Sequence, residues 1–175
     1  MGFSLAWFGV QGIAKEKFLE VAGYEDTGEP DDYFEAETSG GALPGGWYVI
    51  VTENADLAET TRLAKWSLGG RLIAVLIDED SMNSLATEWV DGHQRWSIFH
   101  DGSEGGDKLE VSGELPVEFE EIRDGLPEPG DEDADDETDY VFDVPIDVAA
   151  AITGFRHDSM ELDEDQSVFT ALEEV

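Results

Sequence analysis

The chain has 175 residues, and its 43 acidic against 9 basic side chains give a formal net charge of −34 at pH 7. Like charge opposes the approach of nucleic acids and anionic membranes, so we expect neither as a direct partner. The sequence contains no cysteine, which excludes disulfides, thiolate metal sites and a cysteine nucleophile.

Length and hydrophobicity place further bounds on the chain. Its 41% hydrophobic content predicts a single folded domain over residues 1–175. Residues 1–10 carry no Lys or Arg ahead of an apolar stretch, so no signal peptide is predicted. The longest apolar run, residues 72–77, is too short to span a bilayer. We therefore expect a cytoplasmic protein.

The first elements follow from composition and periodicity. The β-rich residues 5–10 predict a strand, and apolar side chains at helical spacing predict a helix over residues 14–22. Residues 33–38 predict a short strand. The glycine-rich residues 39–46 then indicate a flexible surface loop, because the lysine and the helix of a phosphate-binding loop do not follow. Residues 47–51 predict the next strand.

The next segment combines a helix with an apolar strand. Asp56 and Glu59 have the spacing of a capping box at a helix start. Residues 72–77 show no polar alternation, which predicts a central strand covered on both faces. Strand, helix and strand over residues 47–77 predict a βαβ-like crossover. The predicted apolar face of the helix consists of Leu57, Thr61, Ala64 and Leu68.

A meander is predicted over residues 84–113, with Asp91-Gly92 as a two-residue hairpin turn. In a regular hairpin this turn places Glu88 opposite Arg95. Both tryptophans of the hairpin then lie on one face, which we predict to be the core side. The Glu88–Arg95 pair would face solvent.

The last third of the chain alternates helices with an acidic segment. A strand is predicted at residues 109–111, and a helix begins at Pro116. Residues 127–139 contain eight acids and predict an acidic flexible linker within the domain. A further helix has Pro145 near its first turn. The amphipathic residues 168–175 predict a final short helix.

These elements together predict an α+β fold with a mixed, largely antiparallel sheet and helices packed on it. Three stretches give the chain a likeness to known sequences: Gly45-Gly46-Trp47-Tyr48, Trp96-Ser97-Ile98-Phe99-His100-Asp101, and Asp143-Val144-Pro145 with Thr153-Gly154-Phe155-Arg156-His157-Asp158. On these stretches the chain resembles an uncharacterised family of acidic bacterial proteins. The resemblance implies a shared fold and assigns no activity.

Two His-Asp dipeptides, His100-Asp101 and His157-Asp158, form the one recurring polar pattern. Metal-dependent phosphohydrolases use such dipeptides on helices, together with further His and Asp ligands. Here both dipeptides are expected at element ends, so histidines that hydrogen-bond neighbouring loops are the simpler interpretation. We predict no cofactor.

Arg156 is the only basic residue between Asp124 and Val175, in a stretch rich in acids. An arginine in such a field is expected to clamp a carboxylate of its own chain. The alternative is a contact with a partner, for which Phe155, Arg156, His157, Asp158, His100 and Asp101 are the candidate binding residues.

Three interpretations of the charge stay open at this point. The chain is an acidic binding or inhibitory protein of the immunity type for a basic protein partner, a metal-dependent hydrolase using the His-Asp motifs, or a salt-adapted protein. The first is our preferred function, and it requires no catalytic residue.

The net charge predicts that salt stabilises the fold. Raising NaCl from low to moderate concentration screens repulsion among the carboxylates, so the midpoint of thermal unfolding should rise. Circular dichroism at several salt concentrations measures this shift. An unchanged midpoint would mean that the carboxylates are already paired or neutralised.

Overall fold

The computed structural model describes residues 4–31, 33–102, 109–126, 141–157 and 169–175, which form a nine-stranded sheet with helices on both faces. In chain order the elements are β1 (Ser4–Gln11), α1 (Lys15–Ala22), β2 (Tyr24–Pro30), β3 (Thr38–Ala42), β4 (Trp47–Thr52), a 3-10 helix (Ala55–Ala58), α2 (Thr60–Trp66), β5 (Arg71–Asp78), β6 (Asn83–Val90), β7 (His93–His100), β8 (Leu109–Gly113), α3 (Val117–Asp124), α4 (Asp143–Thr153) and β9 (Phe169–Glu174).

The strands follow the order β2-β9-β3-β4-β1-β5-β6-β7-β8, and every pairing among the described strands is antiparallel. The predicted α+β class is confirmed. Because β4 and β5 both pair with β1, they run parallel to each other on either side of it. The strand–helix–strand unit predicted at residues 47–77 therefore crosses over one antiparallel strand. The linker predicted at residues 127–139 lies outside the described residues.

Each face of the sheet carries its own hydrophobic core, because successive side chains of a strand point to opposite faces. The α4 core lies under α3 and α4 and includes Trp7, Val75 and Phe155. The α2 core lies under α1 and α2 and includes Phe8 and Trp66. β5 contributes to both cores, which confirms the central strand predicted at residues 72–77.

Residues 39–42 of the glycine-rich segment belong to the largely buried strand β3, so the surface loop predicted at residues 39–46 is limited to the turn at 43–46, and the strand predicted at 33–38 was misplaced. β3 pairs with β4 on one side and β9 on the other. Its glycines make room for an aromatic side chain: a Cβ atom on Gly40 would lie 2.2 Å from Tyr48 Oη. Burial, and secondarily the Asp26 carboxylate, raises the pKa of Tyr48, so its phenol stays protonated.

The helix predicted from Asp56 is broken in two. Asn54 caps the 3-10 helix by accepting a hydrogen bond from Asp56 N–H at 3.1 Å, and the chain turns extended at Glu59 before α2 starts. This break changes the helical phase. The predicted apolar face holds only at its start: Leu57 is buried, but Leu63 and Trp66 are the next buried residues, whereas Thr61 is exposed and Leu68 is 51% exposed.

The hairpin turn is confirmed, but its register contains a bulge. Asp91 and Gly92 both have positive φ, as a type I′ turn requires. Trp89 pairs with Gln94 while Glu88 pairs with Trp96, which leaves Arg95 as the extra residue. The bulge places the two tryptophans on opposite faces, Trp89 in the α2 core and Trp96 in the α4 core.

The predicted solvent-exposed pair of Glu88 with Arg95 was therefore wrong. Glu88 is only 8% exposed, accepts a hydrogen bond from Trp96 Nε1 and forms an ion pair with Arg71. Arg95 instead pairs with Glu114 at 3.0 Å. The bulge thus buries the Glu88 carboxylate between the buried Trp96 indole and the partly exposed Arg71 guanidinium.

The end of the chain forms a strand where a helix was predicted. β9 lies between β2 and β3, and Leu172 packs into the α2 core. Its neighbour β2 is polar and was not predicted as a strand. Thr27 Oγ1 donates to the Ala171 carbonyl at 2.8 Å, which ties the two strands together. Pairing with distant strands, and not local propensity, sets this part of the sheet.

The close approach of Tyr48 to β3 predicts that Gly40→Ala is destabilising, by about 1–3 kcal/mol, because the added methyl has no space. Tyr48 Oη has no hydrogen-bond partner among the described residues, so adding Tyr48→Phe should recover part of the loss. Urea unfolding measures both effects.

Gly125→Ala is the control, because its added methyl would meet no atom closer than 3.4 Å. Equal stability of the Gly40 and Gly125 variants would contradict the packing argument.

Candidate functional site

Phe155 lies in the α4 core. It is 2% exposed, and its ring meets Trp7 edge-on at a centroid distance of 5.0 Å. Gly154 ends α4 in the left-handed conformation, and the Phe155 N–H donates to Thr153 Oγ1 at 3.1 Å. Its ring is thus buried in the core and does not face solvent.

Arg156 forms the intramolecular clamp that the sequence predicts. From just beyond the end of α4 it reaches back to two carboxylates one helical turn apart. Its guanidinium pairs with Asp143 at 3.0 Å and also with Asp147. The side chain is 22% exposed, so solvent screens these ion pairs only in part. Arg156 therefore fixes the segment that follows α4 against the helix.

The two histidine motifs occupy different surroundings. His100 ends β7, is fully buried and has its ring centroid 6.4 Å from that of Phe142. Asp101 follows it and is half-buried, whereas Asp158 lies outside the described residues. His157 lines a cavity that His100 does not reach. Within the described ranges, no group of three or more His, Asp or Glu side chains could hold a metal ion.

The cavity beside His157 has a volume of about 310 Å³ and opens at one end of the sheet. The ends of β4 and β5 meet the start of β1 there, because the two parallel strands flank β1. Its floor is apolar and its rim is acidic. The lining residues are Leu5, Tyr33, Phe34, Ala36, Glu37, Val51, Thr52, Glu53, Glu79 and His157.

Two of the cavity carboxylates are held opposite each other by the sheet. Thr38 and Thr52 are the last paired residues of β3 and β4, with their hydroxyls 2.9 Å apart. One step further, Glu53 N–H donates to the Glu37 carbonyl at 3.0 Å, so these glutamates continue the ladder. Like charges directly opposite each other are destabilising. No Lys or Arg in the described ranges forms an ion pair with Glu37, Glu53 or Glu79.

A buried carboxylate fixes the loop that forms the other wall of the cavity. Asp31 is 7% exposed and accepts hydrogen bonds from the backbone of Glu35 at 2.8 Å and of Ala36 at 3.0 Å, and from the Ser39 hydroxyl. The loop holds Phe34 at φ 54°, an uncommon conformation for an aromatic residue. Tyr33 is left 80% exposed at the rim.

Of the predicted site residues that the structure describes, only His157 is among those that line this cavity. The sequence analysis missed the lining residues Tyr33, Glu37, Glu53 and Glu79. The three glutamates gave no signal, because any single acid is unremarkable among 43. The signal that could have found Glu37 and Glu53 was the strand register, because the two glutamates directly flank the last paired residues of β3 and β4. It was hidden because β3 was taken for a loop.

In comparisons with known proteins, no family model, no curated protein and no solved structure matches the chain. The resemblance to acidic bacterial proteins therefore stays a prediction. None of the helices in the described ranges is long and apolar enough to cross a membrane.

The clamp predicts that Arg156→Ala destabilises the fold by about 1.5–3 kcal/mol, because two carboxylates of α4 lose a charged hydrogen-bond donor. Arg123→Ala is the matched control. Its side chain is 52% exposed and lies 3.6 Å from Asp124, so its loss should cost less than about 1 kcal/mol. Urea unfolding of both variants measures the difference, and equal losses would contradict a clamp.

Proposed function

We propose that the chain is a non-catalytic binding protein that takes a basic side chain of a protein partner into the acidic cavity. The facing pair of Glu37 and Glu53 carries this proposal, since the chain's described cations leave the pair without an ion-pair partner. A guanidinium or ammonium group that reaches both carboxylates would be attracted to each of them.

The size and rim of the cavity suit a single side chain. Its volume is at the lower end of the range for ligand pockets, which is about 300–1,000 Å³. The exposed ring of Tyr33 offers a face for cation–π contact with the entering group. Because Asp31 fixes the loop beforehand, little ordering remains to be done on binding.

The distribution of charge favours a binding role over general salt adaptation. α1, the 3-10 helix and α2 together carry four basic and three acidic residues, whereas α3 and α4 carry one basic and six acidic residues. Adaptation to salt predicts acids over the whole surface, while a partner-binding protein concentrates them. The described helices are therefore unevenly charged, as a basic partner would require.

The net charge of the protein should increase the rate of association with such a partner. A net charge of −34 attracts a basic partner over long range, so the association rate should be high and should fall steeply with salt. Specificity then comes from the cavity, where shape and the fixed carboxylates select one side chain. If that side chain belongs to the working surface of an effector, binding also inhibits the effector, as an immunity-type protein does.

A short capped peptide, Gly-Arg-Gly, tests the cavity, with a citrulline peptide as its neutral counterpart. We expect saturable binding of the arginine peptide alone in isothermal titration at low ionic strength. The double variant Glu37→Gln/Glu53→Gln should weaken binding at least tenfold, or by about 1.4 kcal/mol. Tyr33→Ala should cost about 0.5–1 kcal/mol through the lost cation–π contact.

Glu120→Gln/Glu121→Gln provides the control, since it removes the same charge from the exposed face of α3. Its affinity should stay close to that of the unaltered protein. An equal loss in both double variants would assign the attraction to the overall field, and the absence of saturable binding would refute the cavity as a cation site.

A further inference from the structure

A second cavity, of about 450 Å³, lies on the opposite face of the sheet, where α1 ends beside α2. Its inner wall belongs to the α2 core, with Leu57, Tyr24 and Trp66 almost fully buried. Two exposed cations of α2, Arg62 and Lys65, stand at its rim. This cavity takes no part in the function proposed above.

Neither Arg62 nor Lys65 forms an ion pair within the described ranges. Within the described ranges every arginine except Arg62 pairs with a carboxylate, and Lys65 likewise forms no ion pair. In a chain with 43 acids a carboxylate partner is easily supplied. Two neighbouring cations without an ion-pair partner among the described residues therefore distinguish this cavity from the acidic remainder of the protein.

The remaining groups of the cavity reduce this positive charge. Among the lining side chains two are cationic, and Glu174 is the one that is acidic. The C-terminal end of α1 adds partial negative charge. Part of that is offset, because the Gly23 carbonyl accepts a hydrogen bond from Val175 N–H at 3.0 Å.

We propose that this cavity binds the oxyanion group of a small molecule, either a phosphate or a carboxylate. Arg62 and Lys65 are three residues apart on α2, so they lie on neighbouring positions of one helix face. A guanidinium offers two parallel donors to an oxyanion and an ammonium adds a mobile point charge. The volume admits more than a lone ion, whereas the net charge of −34 opposes large polyanions.

Isothermal titration with inorganic phosphate and with citrate, at an ionic strength held constant with NaCl, tests the proposal. We expect saturable binding of at least one of the two. Arg62→Gln and Lys65→Gln should each raise the dissociation constant about tenfold, the loss expected for one charged hydrogen bond. Binding of phosphate alone would identify a phosphate site, and binding of citrate alone a carboxylate site.

Lys17→Gln is the matched control. Lys17 is also exposed and forms no ion pair within the described ranges, but it lies on α1 away from the cavity lining. Its variant should bind as the unaltered protein does. If neither anion binds saturably, or if Lys17→Gln weakens binding as much as Arg62→Gln, the proposal is overturned.

Discussion

Everything in this fold depends on the antiparallel pairing of β1 with two strands at once. Residues 5–10 are all buried, and they alternate between the α4 core and the α2 core, so both faces of the sheet must be covered by helices. The same pairing fixes β4 and β5 in parallel with one strand between them. The C-terminal ends of β4 and β5 therefore lie at the same end of the sheet. There Glu53 and Glu79 lie beside the start of β1 and contribute to the acidic cavity. The central strand thus positions the proposed site without supplying its charge.

Elements with a local cause were predictable from sequence. The apolar run of β5, the apolar spacing of α1, the Asp91-Gly92 turn and the helix start at Pro116 were all found where periodicity or turn chemistry placed them. Elements defined by a distant partner were not. β2 and β9 are strands because they pair with each other, and β3 is held between β4 and the distant β9. The bulge at Arg95 is likewise invisible to a rule of alternation, although it decides which tryptophan faces which core.

The candidate site shows the same division between local and distant causes. The clamp by Arg156 could be predicted, because a single cation in an acidic stretch has an obvious partner. The acidic cavity could not, since composition cannot distinguish two facing glutamates from the many others. Only the register of β3 against β4 brings Glu37 and Glu53 together. Where one charge dominates a sequence, the informative residues are those whose neighbours depart from the average, such as Arg62, which forms no ion pair with any described residue.

The position of β9 has a consequence for how the chain acquires its structure during synthesis. β2 and β3 are translated early, but each needs β9 as its neighbour, and the contacts that join them span 130–144 positions. Until the ribosome has released residues 169–174, β3 presents an open edge to solvent or to other nascent chains. Such long-range closure is slow, and an open strand edge invites pairing between chains. The strong mutual repulsion of these acidic chains would keep their open edges apart during that interval.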